Sequence, residues 1–237
     1  MRFTLGSAAL AAIYLAAAVT AAPTELAERQ STVRIMALGD SITGSPGCWR
    51  AYLWQKLQQA GIKNTDFVGT LPAQGCGFSY DGENEGHGGY LAVNIANQNL
   101  LPGWLSSSKP DIVMMHLGTN DVWNNQSPAT ITTAFSKLVD QMRASKPTMK
   151  ILVAKIIPMA PSNCGDCGNR VIALDNAIGS WAASKSTSAS PITVVDAWSG
   201  FSAQSMTVDG VHPNDAGNKV LANTWFQPLS NAIKASG

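Results

Sequence analysis

The stretch that decides the fold is VRIMALGDSIT, which occupies residues 33–43. Its first six residues, 33–38, are mostly apolar and predict a strand. The small polar segment 39–43 follows at once, and an amphipathic helix is predicted from 49 to 60, where Gly61 closes it. A strand that passes through a short loop into a helix is the repeating unit of an α/β protein.

The same alternation continues along the rest of the chain. The run DIVMMHL, residues 111–117, is typical of a strand buried on both faces of a sheet. Pro128 suits the first turn of a helix, whereas Pro228 is expected to bend or end the last one. The further strands are predicted at 66–69, 111–117, 150–157 and 192–196, and the further helices at 91–105, 128–145, 168–185 and 214–234. This order predicts a parallel sheet with helices on both faces, which binds ligands beyond the carboxyl ends of its strands.

The composition limits the kinds of partner. Apolar residues make up 45% of the 237, which is enough for a large core, while charged residues make up only 13%, about half the usual share. The 16 Lys and Arg balance 15 Asp and Glu, so no strong field directs the protein towards nucleic acid or an anionic membrane. We therefore expect a neutral, polar partner, of which a carbohydrate is one example.

The N-terminal segment, residues 1–21, is predicted to be a signal peptide. Arg2 supplies a positive start, an apolar run fills residues 5–19, and small residues suited to signal peptidase follow. A membrane anchor is the alternative, but the apolar run is shorter than the roughly 20 residues that span a bilayer. Residues 22–31 are then a propeptide or a disordered N-terminus, and residues 32–237 form the single domain of a secreted, extracellular protein.

The chain contains four cysteines, and an even number predicts two disulfides in a secreted protein. Four cysteines allow three connectivities. We favour a local bridge between Cys164 and Cys167, which leaves Cys48 to pair with Cys76. A redox or zinc site is the alternative for the CxxC motif, but no second CxxC is present and the motif follows prolines in a loop.

Four short polar segments follow predicted strands, at the edge where ligands bind. GDSIT follows the first strand at 39–43, and EGHGGY lies at 85–90 in the long loop after the second strand. GTND follows the third strand at 118–121, and DGVH lies after the fifth at 209–212. Each segment alone is an ordinary turn or helix cap. Together they place an Asp–His pair near a serine that the pair can activate as a nucleophile.

On these segments the chain resembles the GDSL or SGNH hydrolases, which are named for Ser, Gly, Asn and His in four sequence blocks. GDSI at 39–42 matches the first block with Ile in place of Leu, and the segments 118–121 and 209–212 match the blocks with Asn and His. The resemblance covers nearly all of residues 32–237. The sequence around the blocks is more narrowly similar to carbohydrate esterase family three, the acetylxylan esterases of fungi and bacteria.

The resemblance implies a three-layer α/β/α sandwich with a five-stranded parallel sheet, which is flavodoxin-like and has the strand order 2-1-3-4-5. It also implies a catalytic role for three residues. Ser41 is the nucleophile, His212 takes its proton and later returns it, and Asp209 orients the imidazole of His212.

An oxyanion hole is also implied by the resemblance. Its donors would be the backbone N–H groups of Ser41 and Gly89 and the side-chain amide of Asn120. Gly88, which adjoins Gly89, is the alternative for the glycine. This chemistry requires no metal and no organic cofactor.

Three residues near these blocks are predicted to contact substrate: His87, Trp49 and Trp123. Each has a structural alternative. A loop histidine often makes hydrogen bonds within its own loop, and a tryptophan is usually mostly buried.

Three further residues are expected to have structural roles. His116 is expected to be a buried, hydrogen-bonded histidine. Asp196, at the end of the fifth strand, is a rival of Asp209, which is preferred because it shares a short loop with His212. Asp40 is expected to brace the turn that carries the serine.

The function that the resemblance implies is that of a secreted serine esterase, acting as a monomer, which removes acetyl groups from xylan or a related plant polysaccharide. A lipase, thioesterase or pectin deacetylase is the alternative within the same chemistry. A non-catalytic sugar-binding protein is the alternative outside it. The larger esterase class with a Gly-x-Ser-x-Gly elbow is disfavoured, because residues 39–43 lack the second glycine.

Overall fold

The structure is a computed structural model that describes Met1, Phe3 and residues 32–236. The predicted signal peptide, residues 1–21, and the predicted propeptide, residues 22–31, lie outside the described residues apart from Met1 and Phe3. No helix in the described part of the chain is both long enough and apolar enough to cross a membrane.

A parallel sheet forms the centre of the molecule. Its strands are β1 (Val33–Gly39), β2 (Thr65–Val68), β3 (Glu85–Gly86), β4 (Ile112–His116), β5 (Lys150–Lys155) and β6 (Ile192–Asp196). The five longer strands lie in the order β2-β1-β4-β5-β6, and every strand pair is parallel. With β3 set aside, this is the predicted order 2-1-3-4-5, so the predicted α/β class and topology are confirmed.

The strand β3 is an addition to the predicted five-stranded sheet. It pairs with the carboxyl end of β1, where β2 has already ended, through the register Leu38↔Glu85 and Gly39↔Gly86. A strand of two residues is too short to show any periodicity in sequence. Its effect is to hold the loop that follows it beside the start of the first helix.

The helices cover the sheet in two layers. They are α1 (Ser41–Gly44), α2 (Trp49–Gln59), α3 (Ala92–Asn97), α4 (Leu101–Ser108), α5 (Thr119–Trp123), α6 (Pro128–Ser145), α7 (Cys167–Lys185), α8 (Ala203–Met206) and α9 (Asp215–Lys234). The helices α2 and α9 pack together, while α6 packs against α3, α4 and α7. All five residues of β4 are buried, as its continuous apolar run predicted.

One predicted helix is divided in two, whereas the last helix keeps its predicted bounds in spite of a proline. The stretch 91–105 is divided into α3 and α4, because Asn99 adopts a left-handed backbone conformation (φ 50°) that interrupts a helix. The last helix does not end at Pro228 but runs on to Lys234. Buried side chains on both sides of this proline, Trp225 and Leu229, hold α9 against the core, and such packing outweighs the poor helix propensity of proline.

Both expected disulfides are present. Cys48, at the start of α2, is bonded to Cys76 in the loop that leads to β3. Cys164 is bonded to Cys167, the first residue of α7. The CxxC motif therefore closes a local turn in front of this helix.

Candidate active site

The polar segments meet at the carboxyl edge of the sheet. Ser41 is the first residue of α1, directly after β1, and Asn120 lies in α5, directly after β4. Asp209 and His212 lie on the turn between α8 and α9. Because parallel strands all end at the same edge, segments far apart in sequence come together there.

A chain of two hydrogen bonds joins Ser41, His212 and Asp209. The Ser41 Oγ lies 2.9 Å from His212 Nε2, and His212 Nδ1 lies 2.7 Å from Asp209 Oδ2. A proton on Nδ1 is donated to the carboxylate, which leaves the lone pair of Nε2 facing the serine hydroxyl. This arrangement allows the imidazole to remove the serine proton when the oxygen attacks a carbonyl carbon.

The turn that carries the Asp–His pair is folded by its own residues. The Asp209 Oδ1 accepts hydrogen bonds from the N–H of Val211 (3.0 Å) and of His212 (2.8 Å). The Gly210 N–H donates to the Thr207 hydroxyl at 2.8 Å. Gly210 has a φ of 84°, and a Cβ there would lie 2.4 Å from a backbone oxygen of the segment before α7, so this position requires glycine.

The carboxylate of Asp209 is suited to an ionised state. Partial burial acts to raise its pKa, but hydrogen bonds from the backbone and ring of His212 and from Val211 outweigh it and keep the pKa of Asp209 below the usual value. The rival carboxylate, Asp196, accepts hydrogen bonds from the Ser199 hydroxyl and from the N–H groups of Trp198 and Ser199. It belongs to the turn after β6, and the carboxylate bonded to His212 is that of Asp209.

Asp40 braces the residue after it. Its Oδ1 accepts a hydrogen bond from the Ile42 N–H at 3.0 Å and so caps α1, while its Oδ2 is buried without a partner among the described residues. Complete burial raises the pKa of Asp40 to about 6, although the Ile42 N–H and the nearby His212 act to lower it. The side chain points into the protein and orients the first turn, which presents Ser41 at the sheet edge.

On the other side of Ser41, the loop after β3 packs tightly on α1. A Cβ on Gly86 would lie 2.4 Å from the Gly44 nitrogen, so the two backbones approach as closely as glycines allow. The His87 N–H donates to the Gly39 carbonyl at 2.9 Å and continues the pairing of β3 with β1. These contacts fix residues 88–90 beside Ser41.

The predicted oxyanion residues border this loop. A Cβ on Gly88 would lie 3.7 Å from the Cβ of Ser41, so the glycine pair adjoins the serine directly. The Asn120 side-chain amide donates to the Tyr90 carbonyl at 3.1 Å, which ties the segment after β4 to the glycine loop. The choice between Gly89 and Gly88 as hydrogen-bond donor stays a prediction.

His87 is held between other residues of the site. Its Nε2 lies 2.6 Å from Oε1 of Glu85, a fully buried carboxylate that also accepts from the N–H and hydroxyl of Thr70 (2.9 and 2.6 Å). Its ring stacks on Trp104 (centroids 4.2 Å apart) and on Tyr90 (5.0 Å). The sequence predicts no role for Glu85, Trp104 or Tyr90. Only the position of Glu85 and Tyr90 in the EGHGGY segment could have suggested them.

The two tryptophans predicted to contact substrate have different surroundings. The prediction is wrong for Trp49, because its side chain is 1% exposed, donates to the Ile42 carbonyl and stacks on Trp225 within the core. Trp123, at the end of α5, is partly buried against the core. A contact between Trp123 and substrate stays a prediction.

Two polar residues behind the site are buried. His116 is buried as expected, but neither ring nitrogen has a partner among the described residues, so the expected hydrogen bond is absent there. Burial lowers the pKa of His116 to about 4, which keeps the ring neutral at neutral pH. The carboxylate of Asp121 accepts the N–H groups of Ala92 and Val93, so it caps α3 and ties α5 to that helix.

Comparison with known proteins identifies a family and several similar proteins. The model of the GDSL-like Lipase/Acylhydrolase family matches residues 37–220. This region includes all four polar segments and most of the described fold.

Two solved structures and one characterised protein are similar to this chain. An acetyl esterase with a serine-to-alanine substitution, solved with an acetate ion, is 34% identical with a TM-score of 0.80; the match covers 86% of this chain and 100% of that one. A carbohydrate esterase family 3 protein from Talaromyces cellulolyticus is also 34% identical, with a TM-score of 0.79 over 86% of this chain and 99% of that one. A multidomain esterase from Ruminococcus flavefaciens is 30% identical over 89% of this chain, which spans only 30% of the length of that protein.

Proposed function

The chain belongs to the GDSL-like lipase/acylhydrolase family and is a carboxylic ester hydrolase, and from this premise we propose that it is a secreted serine esterase that removes acetyl groups from xylan or a related plant polysaccharide. The observation that carries the proposal is the Ser41–His212–Asp209 chain of hydrogen bonds, with its distances of 2.9 and 2.7 Å. The four polar segments supply a nucleophile, a base, a carboxylate and candidate oxyanion donors at one edge of the sheet.

In the first half of the proposed reaction, the Ser41 oxygen attacks the acetyl carbonyl carbon while its proton passes to His212 Nε2. The ionised Asp209 stabilises the imidazolium that forms. The negative charge that develops on the carbonyl oxygen is met by the backbone N–H groups of Ser41 and Gly89 and by the amide of Asn120. Donors of this kind are typically worth about 3 to 4 kcal/mol each in acyl transfer.

Collapse of the tetrahedral intermediate breaks the bond to the sugar oxygen, which leaves as an alcohol with the proton from His212. The enzyme then carries an acetyl group on Ser41. In the second half, His212 removes a proton from water, the water oxygen attacks the acetyl carbon, and acetate leaves as Ser41 regains its proton.

Three observations support a polysaccharide as the substrate. The names of the similar structures include acetyl esterase and carbohydrate esterase. The side chains of His212 and Asp209 are 39% and 49% exposed, so the site is open to a long chain that lies across it. The low content of charged residues suits a neutral substrate.

The two disulfides support secretion, because such bonds persist in oxidising compartments.

Acetate release from acetylated xylan, acetylated pectin and acetylated chito-oligosaccharides tests the proposal. We expect the xylan to be the preferred substrate and Ser41→Ala to reduce kcat by at least about 10³-fold while the protein stays folded. In parallel, p-nitrophenyl acetate is expected to be hydrolysed faster than the butyrate and octanoate. A preference for octanoate would contradict the acetylesterase, and full activity of Ser41→Ala would contradict the nucleophile.

A further inference from the structure

Two exposed apolar side chains between residues 32 and 236 adjoin the site in sequence. Between residues 32 and 236, three large hydrophobic side chains are strongly exposed: Tyr90 (41%), Ile172 (43%) and Val208 (72%). Tyr90 directly follows the glycine pair, and Val208 directly precedes Asp209. Two of the three therefore adjoin residues of the proposed site, Gly89 and Asp209.

Tyr90 is held in a fixed position relative to the reacting groups. Its carbonyl accepts a hydrogen bond from the Asn120 amide at 3.1 Å, and its N–H donates to the His87 carbonyl at 3.2 Å. Its ring lies nearly parallel to the imidazole of His87, with 28° between the planes. The backbone of Tyr90 is therefore tied to a predicted oxyanion residue, and its ring is tied to the loop that carries the glycine pair.

Two further side chains, Trp104 and Glu85, hold the imidazole on which the Tyr90 ring packs. The Trp104 ring stacks on His87 at 4.2 Å with 13° between the planes, and it packs against the core from α4. The His87 ring therefore contacts both the Trp104 ring and the Tyr90 ring. The contact of His87 Nε2 with the buried Glu85 at 2.6 Å prevents the imidazole from rotating.

We propose that Tyr90 is a specificity-determining residue whose exposed ring is the platform for the sugar that carries the acetyl group. The inference rests on the proposed function, and it assigns the recognition of the alcohol part of the ester to this residue. A pyranose has faces lined with C–H groups, which pack on the face of an aromatic ring. Because Trp104, His87 and Glu85 already fix the ring, little conformational entropy is lost when the sugar binds.

A substrate without a sugar ring separates this role from a general effect on catalysis. Ethyl acetate has the same acyl group and no ring, whereas the ring of p-nitrophenyl acetate can itself stack on Tyr90. The measured quantity is a selectivity ratio: kcat/KM for acetylated xylo-oligosaccharides divided by kcat/KM for ethyl acetate, both followed by acetate release.

We expect Tyr90→Ala to lower the selectivity ratio about tenfold, mainly through a higher KM for the oligosaccharides, because the stacking surface is lost. Tyr90→Phe is expected to keep the ratio within about twofold, because it retains the ring. His87→Ala removes the layer beneath the ring and should give an intermediate decrease. Ile172→Ala is the matched control, since Ile172 is equally exposed on α7, and it should leave the ratio unchanged.

The outcomes separate the inference from the proposed function. If the wild type releases acetate from both substrates and Tyr90→Ala leaves the ratio unchanged, the inference is overturned and the proposed function stands. An equal loss on both substrates would also overturn it, because Tyr90 would then act through the geometry of the glycine loop. If the wild type hydrolyses ethyl acetate but none of the oligosaccharides, the polysaccharide substrate itself is refuted, and the platform with it.

Discussion

The turn 207–213 lies on one side of Ser41, and its Asp209 carboxylate accepts hydrogen bonds from residues two or three positions away, the N–H groups of Val211 and His212. One backbone link reaches a remote segment, because the Gly210 carbonyl accepts from the Ala160 N–H at 2.9 Å. The loop 85–90 lies on the other side, and its contacts come from remote parts of the chain. Glu85 binds Thr70, 15 positions away, and the Tyr90 carbonyl binds Asn120, 30 positions away.

This difference separates two ways of building a site. The proposed acid–base side is a turn whose Asp209 and His212 are held mainly by neighbouring residues, so the loss of one side chain should remove its chemistry and leave the backbone in place. The oxyanion side is positioned by close packing of β3 and its loop on α1. We therefore expect changes in backbone packing to reduce activity through the loop 85–90. In the turn 207–213, we expect the loss of a catalytic side chain to have the larger effect on activity.

The largest effect is expected on the acid–base side. His212→Ala should reduce kcat at least about 10³-fold, because no base remains to take the proton of Ser41. The hydrogen bonds from the backbone to Asp209 Oδ1 are unaffected, so the free energy of unfolding should change by less than about 0.5 kcal/mol. Steady-state kinetics and denaturant unfolding of the same preparation measure both quantities.

Asp196→Asn is the matched control, because this carboxylate ends β6 and binds the turn that follows it. Its turnover should stay within about threefold of the wild type, since it touches no reacting group. Near-normal turnover of His212→Ala would show that the base is another residue. A large loss of stability in that variant would contradict the local nature of the turn.

Gly86→Ala, in the loop 85–90, is expected to reduce activity less than His212→Ala does, but to reduce stability as well. The new Cβ would lie 2.4 Å from the Gly44 nitrogen, so either α1 or the loop after β3 must move. We expect kcat/KM to fall about 10²-fold, as when one oxyanion donor is lost, and stability to fall by about 1–3 kcal/mol, as in overpacked cores.

Gly103→Ala is the control for the glycine substitution itself. Gly103 lies in α4, and a Cβ there would meet no atom within 4 Å. Activity should be unchanged, and stability should rise by up to about 1 kcal/mol, because alanine is the better helix former. If Gly86→Ala also kept full activity, the glycine loop would not depend on its packing against α1.

The same distinction explains how much of the fold could be predicted from the sequence. The parallel sheet with helices on both faces followed from the regular alternation of apolar runs and helical stretches, whereas the strand order came from the resemblance to the SGNH hydrolases. The Asp–His turn followed from a spacing of three residues. The division between α3 and α4 depends on the left-handed backbone of Asn99, a conformation that asparagine can adopt but that the sequence alone does not assign to this position. The last helix was predicted from sequence at 214–234, but whether Pro228 ends it depends on the packing of Trp225 and Leu229, which no local pattern shows.

At the site, the sequence identified residue types but not their surroundings. The burial of Trp49 results from its stacking on Trp225, a residue at the far end of the chain. The contacts that hold His87 also depend on the assembled fold. No local pattern marks Glu85 as its hydrogen-bond partner, and Trp104 lies in α4, a separate element. Contacts of this kind exist only once the sheet and helices are assembled.

The smallest effect on activity is expected from the removal of one disulfide. One of the two precedes the loop 85–90, and the other lies near the segment that Gly210 contacts. Cys48–Cys76 spans 28 positions and anchors the loop that leads to β3, while Cys164–Cys167 spans three positions next to the segment on which Gly210 packs. In the chain-entropy description, the longer loop contributes about 3.6 kcal/mol and the shorter about 1.9 kcal/mol, because a longer closed loop restricts the unfolded chain more. The double alanine variants should therefore differ by about 2 kcal/mol in free energy of unfolding, measured in denaturant at equal pH and temperature. The variant without Cys48–Cys76 should also lose more activity, since its loop continues into the oxyanion side. Equal losses of stability and activity in the two variants would contradict the expected difference between the turn 207–213 and the loop 85–90.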